Sequence, residues 1–492
     1  MKKNFKVNPI KSALLRNMPP LSGSIYAFGK IKSGKTTLLL NVSQSYHDNQ
    51  GYKIVDMFGG LRKEQNYWCL PSNDLDYWER VKKILNIDPK VQVPKQYKVN
   101  LLYPLFINEL PDKLPTNPGF VKSKIFTIPL KDIELNDIKC TINGTGNNTT
   151  YLLEELKNNL GKKDGGAFIY NKVKDMESEK QVIWKNFFKP LIEEQLLQSE
   201  VCGYNLDVKK EMKDRETITV LCLDFCPAKF QLLIIEWFMK KVKELLDAGD
   251  IPIKNIFLFR EVSEFFRVTA VTEDRIVFFK DLLSTWMRYA RWGIHVMADC
   301  QSQNEVRGVV EGQSDLTFLG RVAGTSRRDR NEIKDSLGSS GKMTTKQIDD
   351  LSNLRSGEFY LIENYKDARK VYLLLPKTRY WREGDGSFFN LWTKIVDKWE
   401  DISADKEEVL KKFMEEKELL EEERKAKERE KEEKRQRNRS KGGRPAKKEI
   451  IEEKEEEDNN VDKEENIDYI EEENNENKNK QLTNDIDEED WV

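Results

Sequence analysis

The feature that most constrains this chain is the octapeptide Gly29-Lys30-Ile31-Lys32-Ser33-Gly34-Lys35-Thr36, which fits the spacing G-x-x-x-x-G-K-[ST] without departure. It follows a short apolar run, SIYAF at 24–28, and precedes TTLLLNVSQSYH, which reads as a helix. A strand, a glycine loop and a helix in that order aim successive backbone N–H groups at one point on a helix N-terminus, where an anion is stabilised. The motif predicts a phosphate site made by Gly29, Lys30, Ile31, Lys32, Ser33, Gly34, Lys35, Thr36 and Thr37. Lys35 would set a point charge on the β- and γ-phosphate oxygens and the Thr36 hydroxyl would ligate Mg²⁺, so ATP and Mg²⁺ are the expected cofactors.

The pattern around this motif predicts an α/β fold. KIVDMFGG (53–60), KSKIFTIPL (122–130), ETITVLCLDFC (216–226), KNIFLFREV (254–262), GIHVMADC (293–300) and LTFLGRVAG (316–324) read as buried strands. Residues 72–88, 229–249 and 281–291 read as helices between them, and EFYLIEN (358–364) with ARKVYLLLP (368–376) as a hairpin. Alternation of this kind implies a mostly parallel sheet with helices on both faces. The stretch 131–215 is mainly helical in pattern and reads as an insertion. The expected organisation is an arm at 1–20, a core at 21–395, a charged helix at 396–433, a basic patch at 434–448 and an acidic disordered tail at 449–492.

Composition excludes some classes. No apolar run approaches the ~18 residues needed to span a bilayer, and the first twenty residues lack a secretory pattern. No membrane insertion is expected, and the location is cytoplasmic or virion-associated. Six scattered cysteines and two histidines argue against a disulfide framework or structural zinc. The formal net charge of −2 hides an uneven distribution. The terminal segment 449–492 carries 20 acidic and 4 basic residues, whereas 434–448 carries eight basic and no acidic ones. A basic body with an acidic tail is common among proteins that meet nucleic acid.

A phosphate loop that hydrolyses its nucleotide needs an acid at the end of a neighbouring strand. Two strands offer one: IFLFREVSEFF carries Glu261 after Arg260, and TVLCLDFC carries Asp224. The order of segments 24–37, KIVDMFGG, TITVLCLDFCPAKF, IFLFREVSEF, RWGIHVMADCQSQNEV and SDLTFLGRVAGTSRRDRNEI resembles the FtsK–HerA family of DNA-pumping P-loop ATPases, over about 20–376. The resemblance implies a RecA-like core working on double-stranded DNA as a homo-hexamer. It also implies a role in genome packaging or mobile-element DNA transfer, with a portal, transfer or nuclease partner. Residue by residue, it gives Glu261 the task of polarising the attacking water, Gln301 that of polar sensor, and Arg321 that of reaching a neighbouring subunit's nucleotide. Arg327, Arg328 and Arg330 are alternatives for the last role.

One departure stands out. The family has Asp immediately before the Glu, and this chain has Arg260. A cation cannot hold Mg²⁺-bound water, so either another acid assists Thr36, with Asp224 the candidate, or hydrolysis is slow or lost. The alternative reading is then a hydrolysis-deficient, nucleotide-binding subunit that tethers DNA.

Within the basic patch, Gly443-Arg444-Pro445 flanked by Arg439, Lys441 and Lys447 looks like an AT-hook. An extended Arg-Pro segment suits the narrow minor groove of A·T-rich DNA. The other reading is a basic linker without groove contact. A single hook binds weakly and with steep salt dependence. Deleting 434–492 is therefore expected to weaken duplex binding mainly at low salt, read by titration at two ionic strengths. Unchanged affinity at low salt would remove the hook.

Overall fold

The computed structural model describes residues 18, 21–30, 32–58, 68–72, 74–86, 93–110, 112–117, 119–134, 147–160, 178–193, 197–198, 204–260, 262, 284–301, 314–322, 342–363, 367–372, 374–378 and 398–401, with single positions between 403 and 433. By contact the chain divides into two units, Met1–Leu420 and Glu421–Val492. In the second, the described residues 426, 429 and 433 are helical. The arm at 1–20 apart from Met18, the hook-like residues Arg439, Lys441, Arg444 and Lys447, and the tail 449–492 lie outside the described residues.

In chain order the strands of the first unit are β1 (Ser24–Phe28), β2 (Lys53–Phe58), β3 (Lys98–Pro104), β4 (Lys113–Thr116), β5 (Val121–Phe126), β6 (Ile128–Pro129), β7 (Leu197–Gln198), β8 (Thr217–Cys222), β9 (Asn255–Phe259), β10 (Ile294–Cys300), β11 (Ser314–Leu319), β12 (Glu358–Glu363), β13 (Arg369–Tyr372) and β14 (Lys398–Asp401). Ten form one sheet in the order β13-β12-β11-β1-β10-β9-β2-β8-β3-β5. All neighbours from β11 to β5 pair in parallel, and β12 and β13 close the other edge antiparallel, as the predicted hairpin. The central order β11-β1-β10-β9-β2 sets one strand between the phosphate-motif strand and β9. That is the strand order of a RecA-like core.

Both faces of the sheet are covered, which is why its strands read as unbroken apolar runs rather than alternating ones. On one face the helix Lys35–Gln50 buries Leu38, Leu39, Leu40, Val42 and Tyr46 against Ile25, Ala27, Met297, Leu258 and Ile54. On the other, the helix Ala228–Asp247 buries Phe230, Leu233, Ile234, Trp237 and Phe238 against Phe28, Val296, Phe257, Phe259 and Val55. Its sequence is apolar on most sides, as a helix laid across a sheet and under further chain must be.

First, two strands go beyond the sequence pattern: β3 extends the main sheet beside β8, and β7, within the mainly helical 131–215, pairs with β6 just before it. The helices there are Asn147–Leu160, Ser178–Ile183 and Lys189–Glu193 joined by a π turn at Trp184–Phe188, and Val208–Lys213. Second, the start of the expected charged helix at 396 is a strand. β14 pairs antiparallel with β4, Trp399 opposite Pro115, and the described residues 403, 404, 406–408 and 411 are helical after it. A ladder to β4 satisfies backbone groups that a lone charged helix end would leave to water.

Entry into β10 depends on Gly293. Its φ of 87° is left-handed, and a Cβ there would sit 1.9 Å from the Ile253 carbonyl oxygen. Gly51, with φ 69°, meets nothing within 4 Å. Gly293→Ala is expected to destabilise by ~2 kcal/mol or more and Gly51→Ala by ~1 kcal/mol, since only the first adds a backbone clash to the conformational cost. Urea denaturation of the two variants checks the ranking.

Candidate functional site

Gly29 follows β1 and the helix starts at Lys35, so the loop turns at the C-terminal edge of the sheet. Lys32 (φ 65°) and Gly34 (φ 98°) both take left-handed backbone. Such turns point neighbouring N–H groups into a common concavity. Holding a lysine there costs about 1–2 kcal/mol, the kind of strain that persists at a ligand clamp when the surroundings impose it. Ile31 lies outside the described residues.

The surroundings do impose it. The Lys30 amide donates to the Arg321 carbonyl at 2.9 Å, and the Gly357 amide donates to the Ser33 carbonyl at 2.9 Å. Gly320 donates to the Phe28 carbonyl, extending the β1–β11 pairing to the loop. These approaches leave no room for side chains. A Cβ on Gly29 would meet Ser33 Oγ at 2.8 Å, and one on Gly320 the Phe359 ring at 2.8 Å. Lys35 is buried, and its Nζ donates to the Gly29 carbonyl at 2.8 Å. An ammonium has three donors, so this bond anchors the side chain across the loop and is compatible with a phosphate contact. Thr36 and Thr37 are half-buried on the first turn.

The other expected residues fall at different distances from this loop. Gln301 is half-buried just beyond β10, the strand between β1 and β9, on the same edge as the loop. Arg321 is bonded through its backbone to the loop of its own chain. Glu261 and the alternatives Arg327, Arg328 and Arg330 lie outside the described residues.

Asp224 is not brought to the loop. It occupies a 3₁₀ turn, Leu223–Phe225, after β8, and β10, β9 and β2 all stand between β8 and β1. Four strand spacings make about 19 Å, far beyond what one carboxylate spans. Burial pushes the Tyr103 hydroxyl of β3 well above its usual range, and Cys222 and Asp224 add to the shift. Thr36 and Asp224 therefore cannot share one ion.

Arg260 is the residue whose surroundings sequence reasoning missed. It emerges from β9 beside β2 and forms a buried ion pair with Asp56, whose Oδ2 also accepts from Trp68 Nε1 at 2.6 Å. Arg260 is 5 % exposed and Asp56 is wholly buried. The available signal was the pair of opposite charges interrupting two apolar strands, KIVDMF and NIFLFR. The guanidinium is thus held as structure and compensated from the side away from β1.

Among the described residues no group of three or more His, Cys, Asp or Glu side chains is placed to hold a metal ion. The donors at the loop fit Mg²⁺ nonetheless. A first-turn hydroxyl joined by phosphate oxygens is the hard, oxygen-only set that this ion takes with retained water. No described helix is long and apolar enough to cross a membrane.

Removing one partner of a buried ion pair leaves an uncompensated charge and costs about 3–5 kcal/mol. Asp56→Asn and Arg260→Asp are each expected to lose at least that much. The double variant Asp56→Leu/Arg260→Met should recover most of it, less about 1–3 kcal/mol for the stranded Trp68 indole. Chemical denaturation checks this; a single variant as stable as the parent would exclude the pair.

No protein-family model matches the chain, and comparison with curated proteins returns no match. Among solved structures the chain is similar to the bacterial conjugative coupling protein TrwBdeltaN70, at 9% identity and TM-score 0.40, over 77% of this chain and 94% of that one. It is similar to VirB4 of Thermoanaerobacter pseudethanolicus, at 11% identity and TM-score 0.41, over 72% and 88%. It is also similar to the genome packaging NTPase B204 of Sulfolobus turreted icosahedral virus 2 in complex with AMPPCP, at 11% identity and TM-score 0.27, over 72% and 98%. All three are likenesses of fold, at 9% to 11% identity.

Proposed function

We propose that this chain is an ATP-dependent motor that translocates double-stranded DNA, in genome packaging or mobile-element transfer. The observation that carries the reading is the braced phosphate loop at the C-terminal edge of a parallel sheet, with β10 between the loop's strand and β9. Open α/β sheets bind their ligands at that edge. The motif order along 20–376 supplies the DNA-pumping part of the reading.

The loop's backbone amides and Lys35 would bind and orient the β- and γ-phosphates. When bound, Mg²⁺ supplies charge neutralisation at those oxygens, with Thr36 as its protein hydroxyl. Glu261 would orient the attacking water, Gln301 would contact the γ-phosphate from the tip of β10, and Arg321 would act on a neighbouring subunit's nucleotide in a homo-hexameric ring. The basic patch with Arg444 would add a salt-sensitive DNA contact. A portal, transfer apparatus or nuclease is the partner class such a motor serves.

The buried Arg260–Asp56 pair supports a second reading, in which the chain binds ATP and DNA without turnover. ATP turnover of the purified chain with and without duplex DNA separates the two. Under the motor reading, turnover is present and Lys35→Ala lowers it by about 10²-fold or more. Glu261→Gln should do likewise. Nucleotide binding without turnover at any DNA length would favour the tethering subunit.

A further inference from the structure

Asp299 stands on β10, the strand directly between β1 and β9, and is wholly buried. It is level with Ala27 of β1. Ala298 is level with Phe259, the last paired residues of the two strands, and Asp299 and Arg260 follow them, Arg260 in the turn that ends β9. Side chains two apart on a strand share a face, which puts Asp299 on the face of Met297 and Asp56 on that of Ile54, and the ion pair with Asp56 brings the Arg260 guanidinium to the same face. Met297 and Ile54 pack in the cluster that holds Leu38, Leu39 and Leu40 of the phosphate-loop helix. Across the sheet beneath that helix the row therefore reads Ala27, Asp299, Arg260, with Asp56 clamping the cation from β2.

The charges in this row have a simple sum. Asp299, Arg260 and Asp56 are two acidic residues and one basic one, an excess of one acid, as a single acid at position 260 would be alone. The acid has moved one strand toward the phosphate loop, and its place is taken by a cation that Asp56 neutralises. From β10 a carboxylate has one strand spacing, about 5 Å, to the β1 line, where β9 has two. Its neighbour on that side is Ala27, too small to intervene.

We infer that Asp299 is the carboxylate that receives the water shell of the nucleotide-bound Mg²⁺, in place of the acid that Arg260 replaces. Arg260 is a positioning residue: it fixes the Asp299 side of the row while Asp56 holds it in turn. The inference rests on the phosphate loop binding nucleotide, and it is independent of whether the chain turns over ATP.

The test is the Mg²⁺ dependence of nucleotide affinity, measured with a fluorescent ATP analogue in excess Mg²⁺ and in EDTA. The parent chain is expected to bind more tightly with Mg²⁺. Asp299→Asn should lose this gain, about 10- to 100-fold as for other residues that support a metal's shell, while its affinity in EDTA stays unchanged. Asp299→Asn that keeps the Mg²⁺ gain overturns the inference, as does a parent chain whose affinity ignores Mg²⁺. A parent that binds no nucleotide in either condition overturns the phosphate-loop reading itself. If Asp299→Asn does not fold, Asp299→Glu decides by the electron paramagnetic resonance spectrum of bound Mn²⁺·nucleotide. A changed spectrum with a smaller Mg²⁺ gain is expected, and an unchanged spectrum and gain would overturn the assignment.

Discussion

A guanidinium buried in the middle of a ten-stranded sheet constrains everything around it. Arg260 leaves β9 between strands whose buried side chains are mostly apolar, and a charge there is tolerable only when paired and hydrogen-bonded. Asp56 supplies the pairing from β2, and Trp68 fixes the second bond to the carboxylate. The pair ties β9 to β2 at the edge of the sheet that carries the phosphate loop. It also consumes a position where a P-loop ATPase ordinarily keeps an acid. Whatever chemistry occurs at the loop must draw its carboxylates from elsewhere along the same edge.

Much of this was readable from the chain. The phosphate loop was legible because its chemistry needs glycines and a lysine at fixed spacing, and the central strands because burial on both faces leaves apolar runs. The long helix at 229–249 was legible from its length, and the structure ends it at Asp247. β3 was missed because KVNLLYP, with asparagine and lysine at one end, sits in a stretch whose flanks read as helix and loop. β4 and β14 were missed because each is four residues long and finds its partner almost three hundred residues away. No local pattern encodes such a pairing.

The candidate site divides the same way. Local chemistry announced Lys35 and Thr36. Asp224 was a reasonable candidate for the metal only while strand order was unknown, since sequence separation says nothing about how many strands lie between two edges. The order β1-β10-β9-β2-β8 removes Asp224 and brings Asp299 to the loop's neighbour strand. The information lies in register: one residue's shift of β10 would turn Asp299 to the opposite face, among Val296 and Ala298.

The bracing of the loop also bears on how a nucleotide could be felt elsewhere. Lys30 is tied to the Arg321 carbonyl, Ser33 to the Gly357 amide, and Val322 in turn to the Leu351 carbonyl. Gly357 leads into β12, so the loop is gripped by the two segments that form the antiparallel edge of the sheet. Phosphates that tighten the loop must pull on both. Arg321 stands at this junction with its carbonyl committed to its own loop, while its Nε has no hydrogen-bond partner among the described residues.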